Sequence, residues 1–201
     1  FSNQGKTYHA VRYIGKDGKA RYYSPAGKSL RKAFLRTPVD FSRISSGFSL
    51  GRRHPILNTI RAHKGVDYAA PRGTAIKAAG DGKIVFKGTK SGYGNVIEIA
   101  HNQHHTTLYA HMNGFAKGLA TGARVAAGQV IGYVGSTGLA TGPHLHYELR
   151  VDGVHRDPLK VNTPLADNLD GRELQAFKAQ AAPLLTALQT TDTSTRLAQN
   201  K

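Results

Sequence analysis

The feature that most constrains the fold of this 201-residue chain is a central block, residues 44–162, in which glycine separates short β-rich runs. Runs such as GKIVFKG, GNVIEIAH and HLHYELRV are rich in β-branched and aromatic residues, and Asp81-Gly82 and Asp152-Gly153 mark tight turns. The 23 glycines suit a turn-rich β protein better than a helical bundle. The pattern therefore predicts a mostly β fold with a glycine-rich antiparallel sheet as its core.

Segments of different character flank the central block. Two alternating runs surround KDGK (16–19), whose Asp-Gly pair favours a hairpin, so a small β appendage is predicted at the N-terminus. Residues 171–190 have the composition and spacing of a helix that Pro183 should kink or divide, and a frayed tail should follow. The predicted segments are the N-terminal appendage (1–45), the central domain (46–162) and the C-terminal helix with its tail (163–201).

Composition limits the classes of partner. Lys and Arg number 28 against 12 Asp and Glu, giving a net charge of +16 that attracts nucleic acid, anionic lipid or an acidic wall polymer. No run resembles an RNA-stacking motif, so nucleic acid is not the expected partner. The absence of cysteine excludes disulfides and thiolate metal sites. No apolar run is long enough to form a transmembrane segment, and a start at Phe1 without an h-region is interpreted as a processed or trimmed piece of a longer protein.

The stretch GPHLHYELR (142–150) places two histidines on one face of a predicted strand. Because alternate side chains of a strand point to the same side, His144, His146 and Glu148 share one face and the apolar residues between them share the other. The two imidazoles are either solvated or directed at a ligand that binds nitrogen. Glu148 either orients one of these imidazoles or is itself solvated, and the residues alone do not decide between the two.

Two further segments carry candidate site residues. His63 and Asp67 form H-x-x-x-D, where Gly65 and the β-branched Val66 favour a loop entering a strand over a helix. The alternative is that Asp67 caps a turn and His63 is incidental. His111 is predicted to end the strand TTLYAHM, where a structural role is the alternative. A His, an Asp and a His from three segments of a sheet can supply the three ligands of a catalytic zinc site, which needs no thiolate.

Other residues are expected to have surface or structural roles. Tyr109 either contacts substrate near His111 or packs in the core, and packing is the more common role of a strand aromatic. The remaining histidines lack a partner at an informative spacing or cluster in a predicted loop: His9, His54 and His155, and His101, His104 and His105.

Two apparent catalytic motifs are not expected to function. GFSLG (47–51) matches G-x-S-x-G, but the residues after Ser49 have no helical pattern, so a serine nucleophile is not predicted. AGKS (26–29) has Tyr22 where a P-loop needs its first glycine.

The ordered set of motifs resembles that of a known family. H-x-x-x-D at 63–67, the histidine at 111 and H-x-H at 144–146 are similar to the motifs of the M23 zinc peptidases, also called LytM-type or lysostaphin-like endopeptidases. The similarity extends over about residues 46–162. YSPAGKSLRKAFLRTPVDFSRISSGF (23–48) is similar to the MepM-like murein D,D-endopeptidases of Gram-negative bacteria.

The resemblance implies a site and an activity. It implies a LytM-type β core with one Zn²⁺ per chain held by His63, Asp67 and His146, and it implies that His111 and His144 are catalytic residues. The implied reaction is hydrolysis of the peptide cross-links of peptidoglycan in the periplasm, with the D-alanyl–diaminopimelate bond as the expected target. The alternative is a non-catalytic LytM-type module that binds cell wall and activates amidases. Such modules lack a ligand or a catalytic histidine, so the five matching residues favour the enzyme; the resemblance identifies no regulatory protein.

Overall fold

The computed structural model describes residues 2–3, 6–16, 18–35, 37–40, 43–53, 60–161, 166 and 168–199. These residues form sixteen β-strands and one α-helix, α1 (Gly171–Gln199). The strands are β1 (Ser2–Asn3), β2 (Lys6–Thr7), β3 (Val11–Ile14), β4 (Ala20–Tyr23), β5 (Arg43–Ser46), β6 (Ser49–Arg53), β7 (Ile60–His63), β8 (Val66–Ala69), β9 (Ala75–Lys77), β10 (Gly82–Lys90), β11 (Gly94–Ala100), β12 (His105–Phe115), β13 (Arg124–Val125), β14 (Val130–Val134), β15 (His144–Val151) and β16 (Val154–Arg156). The mostly β prediction is confirmed.

The chain divides into two compact units, one containing residues 1–33 and 163–201 and the other residues 34–162. The division into three segments at residues 45 and 162 stays a prediction. Among the residues described, no helix has both the length and the hydropathy needed to cross a membrane.

The smaller unit contains the predicted hairpin and the helix. β3 and β4 pair antiparallel, with Val11 opposite Tyr23. The ring of Phe177 in α1 lies 5.6 Å from that of Tyr13 and 5.7 Å from that of Tyr23. The apolar side of the helix therefore covers the hairpin, and removal of these rings from water stabilises both elements.

Two predictions for the C-terminal region are wrong: Pro183 does not divide the helix, and the tail predicted to fray is helical. A kink at Pro183 stays a prediction. α1 is one continuous helix across Pro183 and extends to Gln199, through residues expected to fray. A proline inside a helix removes one backbone donor, and its ring crowds the carbonyl four residues earlier, at a cost of about 3 kcal/mol. Ala181 is buried before the proline and Leu185 packs against the same apolar cluster after it. These contacts hold both sides of the helix to the hairpin, which local propensity does not reveal.

The larger unit contains an antiparallel sheet, as predicted. Its strand order is β13-β10-β11-β12-β15-β8-β5, while β14 pairs with β12 and β9, and β16 pairs with β15. β6 and β7 form a separate pair. Ser49 therefore begins a strand rather than a helix, which agrees with the rejection of a serine nucleophile. His54 lies outside the described residues.

One face of the central strands carries a tyrosine core. The ring of Tyr147 lies 5.4 Å from that of Tyr109 and 6.4 Å from that of Tyr68, and all three are buried. The Tyr109 hydroxyl accepts hydrogen bonds from the Ala79 amide at 2.8 Å and from Thr107 Oγ1 at 3.0 Å. Tyr109 is therefore a core residue, and this face forms a rigid support for the polar face opposite.

Candidate metal centre

Neighbouring strands bring three of the predicted residues together. β7 ends at His63, a short turn follows, and β8 carries Asp67, so the predicted entry from a loop into a strand is confirmed. The antiparallel register of β8 and β15 places His146 directly opposite Asp67. Side chains directly opposite each other in a sheet point to the same face. Register and turn together therefore direct all three side chains to one point.

The three side chains form a tight triangle. Asp67 Oδ1 lies 3.0 Å from His63 Nε2 and 2.8 Å from His146 Nδ1, and the two nitrogens are 3.1 Å apart. One ligand atom from each residue lies within 4.8 Å of the others. This group can hold a metal ion.

The outward nitrogens of both imidazoles face oxygen. His63 Nδ1 donates to the Gly47 carbonyl oxygen at 2.7 Å, and His146 Nε2 lies 3.2 Å from Glu148 Oε1. A ring that donates outward through one nitrogen presents, when neutral, a lone pair through the other. Two such lone pairs and the oxygen of Asp67 then converge, and a proton or a metal ion between them relieves their mutual repulsion.

Hydrogen bonds within the triangle also shift the pKa values of His146 and Asp67. Burial disfavours the charged form of His146, but its hydrogen bonds to Asp67 and Glu148 outweigh burial and raise its pKa to about 9. Burial likewise opposes ionisation of Asp67, yet the hydrogen bonds from His146 and His63 hold its pKa below the usual range. The two carboxylates therefore stabilise positive charge on the His146 ring. Two imidazole nitrogens and one carboxylate oxygen are a ligand set that suits Zn²⁺.

The other two predicted residues lie beside the triangle. His144 Nε2 is 3.9 Å from Asp67 Oδ1, and the ring of His111 lies 4.6 Å from that of His144 and 6.0 Å from that of His146. Nδ1 of His144 donates to the Gly142 carbonyl oxygen at 2.8 Å. The structure thus brings all five predicted site residues into one cluster.

His111 reaches this cluster through a kink in β12. The sequence predicted that the strand ends at His111, but the strand continues to Phe115. His111 has φ of 57°, a left-handed conformation uncommon for a residue with a side chain. β12 also changes its partner there, since Ala110 pairs with His146 of β15 and Met112 pairs with Val134 of β14. The kink removes His111 from the regular alternation of the strand, which explains why alternation alone misplaced the strand end.

Thr137 fixes the ring of His111. Its carbonyl oxygen accepts from His111 Nδ1 at 2.7 Å, so Nε2 of a neutral ring carries the lone pair. The Thr137 hydroxyl donates to the Met112 carbonyl oxygen and accepts from the Asn95 amide. Gly94 permits this approach, because a Cβ at its position would lie 2.4 Å from Thr137 atoms. No sequence signal pointed to Thr137.

His111 is neutral at pH 7. Burial is the main cause that lowers its pKa to about 4, and the nearby His144 and His146 lower it further. The hydrogen bond to the Thr137 carbonyl oxygen opposes this shift without cancelling it. A neutral imidazole with a free lone pair can accept a proton.

Glu148 and Tyr93 lie beneath the triangle. Glu148 has 0 % exposure, so the interpretation of it as a solvated residue is wrong, while strand alternation placed it correctly on the face of His146. Burial opposes ionisation of Glu148, but hydrogen bonds from His146, Tyr93 and Arg150 lower its pKa to about 2. Sequence reasoning missed Tyr93, whose hydroxyl donates to Glu148 Oε1 at 2.7 Å. It also assigned no partner to His155, whose Nε2 lies 3.0 Å from Glu148 Oε2.

Gly65 is a further residue whose role only the structure reveals. A Cβ at this position would lie 2.5 Å from the Tyr147 carbonyl oxygen and 2.8 Å from His146 Cε1. Only glycine at position 65 leaves room for the imidazole of His146. The spacing H-x-G-x-D therefore contains a packing requirement as well as two side chains that can bind a metal.

The histidines of the loop at residues 101–105 have partners of their own. His104 is exposed and pairs with Asp152 at 2.6 Å. His101 contacts the Asp81 carbonyl oxygen and Thr107 Oγ1. These contacts agree with the surface or structural roles predicted for the histidine-rich loop.

Comparison with known proteins identifies the family. The catalytic domain of lysostaphin from Staphylococcus simulans is 33% identical, with a TM-score of 0.52, and the match covers 59% of this chain and 90% of that domain. The family model for peptidase family M23 matches residues 61–158. The chain belongs to peptidase family M23. The predicted family and its LytM-type β fold are thereby confirmed.

Two further proteins are similar over more of the chain. Peptidoglycan DD-endopeptidase ShyC from Vibrio cholerae serotype O1 is 42% identical over 189 residues, which are 94% of this chain and 42% of that protein. A zinc-containing peptidase from Vibrio cholerae is 37% identical with a TM-score of 0.63, covering 77% of this chain and 47% of that one. The chain thus spans about two fifths of the length of ShyC.

Proposed function

We propose that this M23 chain is a zinc-dependent endopeptidase that hydrolyses the peptide cross-links of peptidoglycan. The observation that carries the proposal is the convergence of His63, Asp67 and His146 on one point, with His111 and His144 beside it. The similar protein ShyC is named a peptidoglycan DD-endopeptidase, which supports the D-alanyl–diaminopimelate bond as the target. Residues 46–162 would form the catalytic domain.

One Zn²⁺ per chain would be held by His63 Nε2, Asp67 Oδ1 and His146 Nδ1. Bound zinc supplies Lewis acidity, which polarises a carbonyl and makes water a nucleophile at neutral pH. Three protein ligands leave a position open for the reacting groups. The similar Vibrio cholerae structure is described as a zinc-containing peptidase, which supports zinc as the metal.

His111 and His144 would carry the proton transfers and stabilise the oxyanion. Each donates through Nδ1 to a backbone carbonyl oxygen, so each neutral ring directs an acceptor nitrogen away from that contact. Because burial keeps His111 neutral at pH 7, it can take a proton from water and return it to the leaving amine. An imidazolium carries a proton on both ring nitrogens, and in that form His144 would donate through Nε2 to the negatively charged carbonyl oxygen.

A non-catalytic module that activates amidases is not favoured. Loss of a ligand or of a catalytic histidine would mark such a module, and this chain retains both sets in one cluster.

The proposed activity also sets the location. Because the peptidoglycan of a Gram-negative cell lies outside the inner membrane, we place the enzyme in the periplasm, with peptidoglycan as its partner.

Digestion of purified sacculi tests the proposal. Zinc-loaded protein is expected to convert cross-linked muropeptide dimers into monomers, which mass spectrometry identifies after the glycan strands have been cut. An Asp67→Asn variant serves as the inactive control. An unchanged proportion of dimers would contradict the proposal, and new ends on sugars or on the lactyl amide would assign a different bond.

Binding to sacculi is expected to weaken as salt rises. A chain with a net charge of +16 should derive part of its affinity from attraction to wall carboxylates. The screening length falls from about 10 Å at 0.1 M salt to about 3 Å at 1 M. The measurement is the fraction of metal-free protein that sediments with sacculi at these two concentrations, with uncharged cellulose particles as the control. Equal sedimentation at both concentrations would show that the basic surface does not contribute.

A further inference from the structure

The carboxylate of Glu148 is completely buried directly behind the metal centre, and it is surrounded by donors. Oε1 accepts from the Tyr93 hydroxyl at 2.7 Å and lies 3.2 Å from His146 Nε2. Oε2 accepts from Arg150 at 2.6 Å (Nη2) and 3.1 Å (Nε), and lies 3.0 Å from His155 Nε2. A buried carboxylate requires such compensation, since its desolvation is otherwise very costly.

The two oxygens of this carboxylate face different groups. Arg150 and His155 contact Oε2. Oε1 instead faces His146 and Tyr93. Arg150 and His155 hold Oε2 while the Tyr93 hydroxyl holds Oε1, so the carboxylate presents Oε1 behind the imidazole. A purely structural ion pair would not need its second oxygen at that point.

This contact determines which nitrogen of His146 faces Asp67. An imidazole that rotates about its Cβ–Cγ bond changes the position of both nitrogens, and only one orientation gives Nδ1 to the triangle. The Oε1 acceptor behind the ring favours a proton on Nε2 and thus a lone pair on Nδ1. A carboxylate partner also makes the ligating nitrogen more basic.

We propose that Glu148 is a positioning residue for His146, oriented by Tyr93 and Arg150, and that it strengthens the retention of zinc by the centre. Tyr93 also connects the support of His146 to His111. Its ring lies 5.7 Å from that of His146, and its carbonyl oxygen accepts from the His111 amide at 2.8 Å. One residue therefore contacts the support of the metal ligand and the backbone of a proposed catalytic histidine.

The inference rests on the proposed zinc site, and zinc affinity tests it without measuring hydrolysis. The dissociation constant of Zn²⁺ is measured by competition with a chromophoric chelator for the wild type and for Glu148→Gln, Tyr93→Phe and Glu98→Gln. Glu98→Gln is the matched control, because Glu98 contacts Lys90 and the far side of Arg150 but not His146. Thermal unfolding of the metal-free proteins reports any structural effect separately.

Glu148→Gln is expected to raise the zinc dissociation constant by about 10- to 100-fold, the range found when such supporting partners are altered. Tyr93→Phe keeps the carboxylate and removes one hydrogen bond, so an increase of about 2- to 10-fold is expected. Glu98→Gln should match the wild type in zinc affinity. A purely structural role would lower thermal stability and leave the affinity of folded variants unchanged.

The outcomes separate this inference from the proposed function. A folded Glu148→Gln variant with wild-type zinc affinity overturns the inference and leaves the endopeptidase proposal intact. If Glu148→Gln fails to fold, Tyr93→Phe decides, and unchanged affinity there overturns the inference. The wild type could also bind zinc but leave sacculi intact, with weaker zinc binding in the variants. That result supports the positioning role and contradicts only the proposed activity. A wild type that does not bind zinc overturns both.

Discussion

His146→Ala is expected to lose zinc and hydrolysis together, whereas His144→Ala is expected to keep zinc and lose rate. His146 Nδ1 is one of three proposed ligand atoms, and its removal leaves only His63 and Asp67. His144 lies 3.9 Å from Asp67 and outside the triangle. Loss of one proton-transfer or oxyanion group typically lowers the rate by about 10²–10³. His111→Ala should behave like His144→Ala.

The measurement is zinc per chain by elemental analysis, together with the rate of sacculus digestion, for each purified and folded variant. His104→Ala is the matched control, because His104 is an exposed histidine that pairs with Asp152 on the surface. It should retain both zinc and activity. Metal loss in His144→Ala with retention in His146→Ala would reverse the proposed roles along β15. Full zinc content and activity in both would place the site elsewhere.

Chelation is expected to abolish hydrolysis completely, and added Zn²⁺ is expected to restore it. A centre made of two imidazoles and one carboxylate must release its metal to a sufficiently strong chelator. Mg²⁺ should fail to restore activity, because it prefers oxygen ligands over imidazole nitrogen. The digestion rate is measured after removal of the chelator, before and after addition of each metal.

The corresponding control is chelator that has been saturated with zinc beforehand, which should leave the rate unchanged. Full activity of protein that elemental analysis shows to be free of metal would refute a metal-dependent reaction. Restoration by Mg²⁺ alone would refute the assignment of zinc.

Local sequence rules predicted the parts of the fold that depend on neighbouring residues. Alternation of side chains along β15 placed His144, His146 and Glu148 on one face, and the Asp-Gly turn within KDGK marked the N-terminal hairpin. Such rules work because strand alternation and turn preferences are properties of the local backbone. They were wrong about a division of the helix at Pro183 and about the strand end at His111. There, contacts with residues distant in the sequence outweighed the local preference.

The sequence by itself determined which side chains were available for chemistry, since the order and spacing of His63, Asp67 and His146 already resembled a metal-ligating set. Only the tertiary structure decided which atoms of those residues meet. The register between β8 and β15 sets the distance from Asp67 to His146, and the kink at His111 brings a fourth strand to the site. The tertiary structure also placed Tyr93 behind the metal centre, in contact with Glu148, which lies 55 residues away in the chain. Strand pairing and burial join residues that are distant in the chain, and no local pattern records those partners.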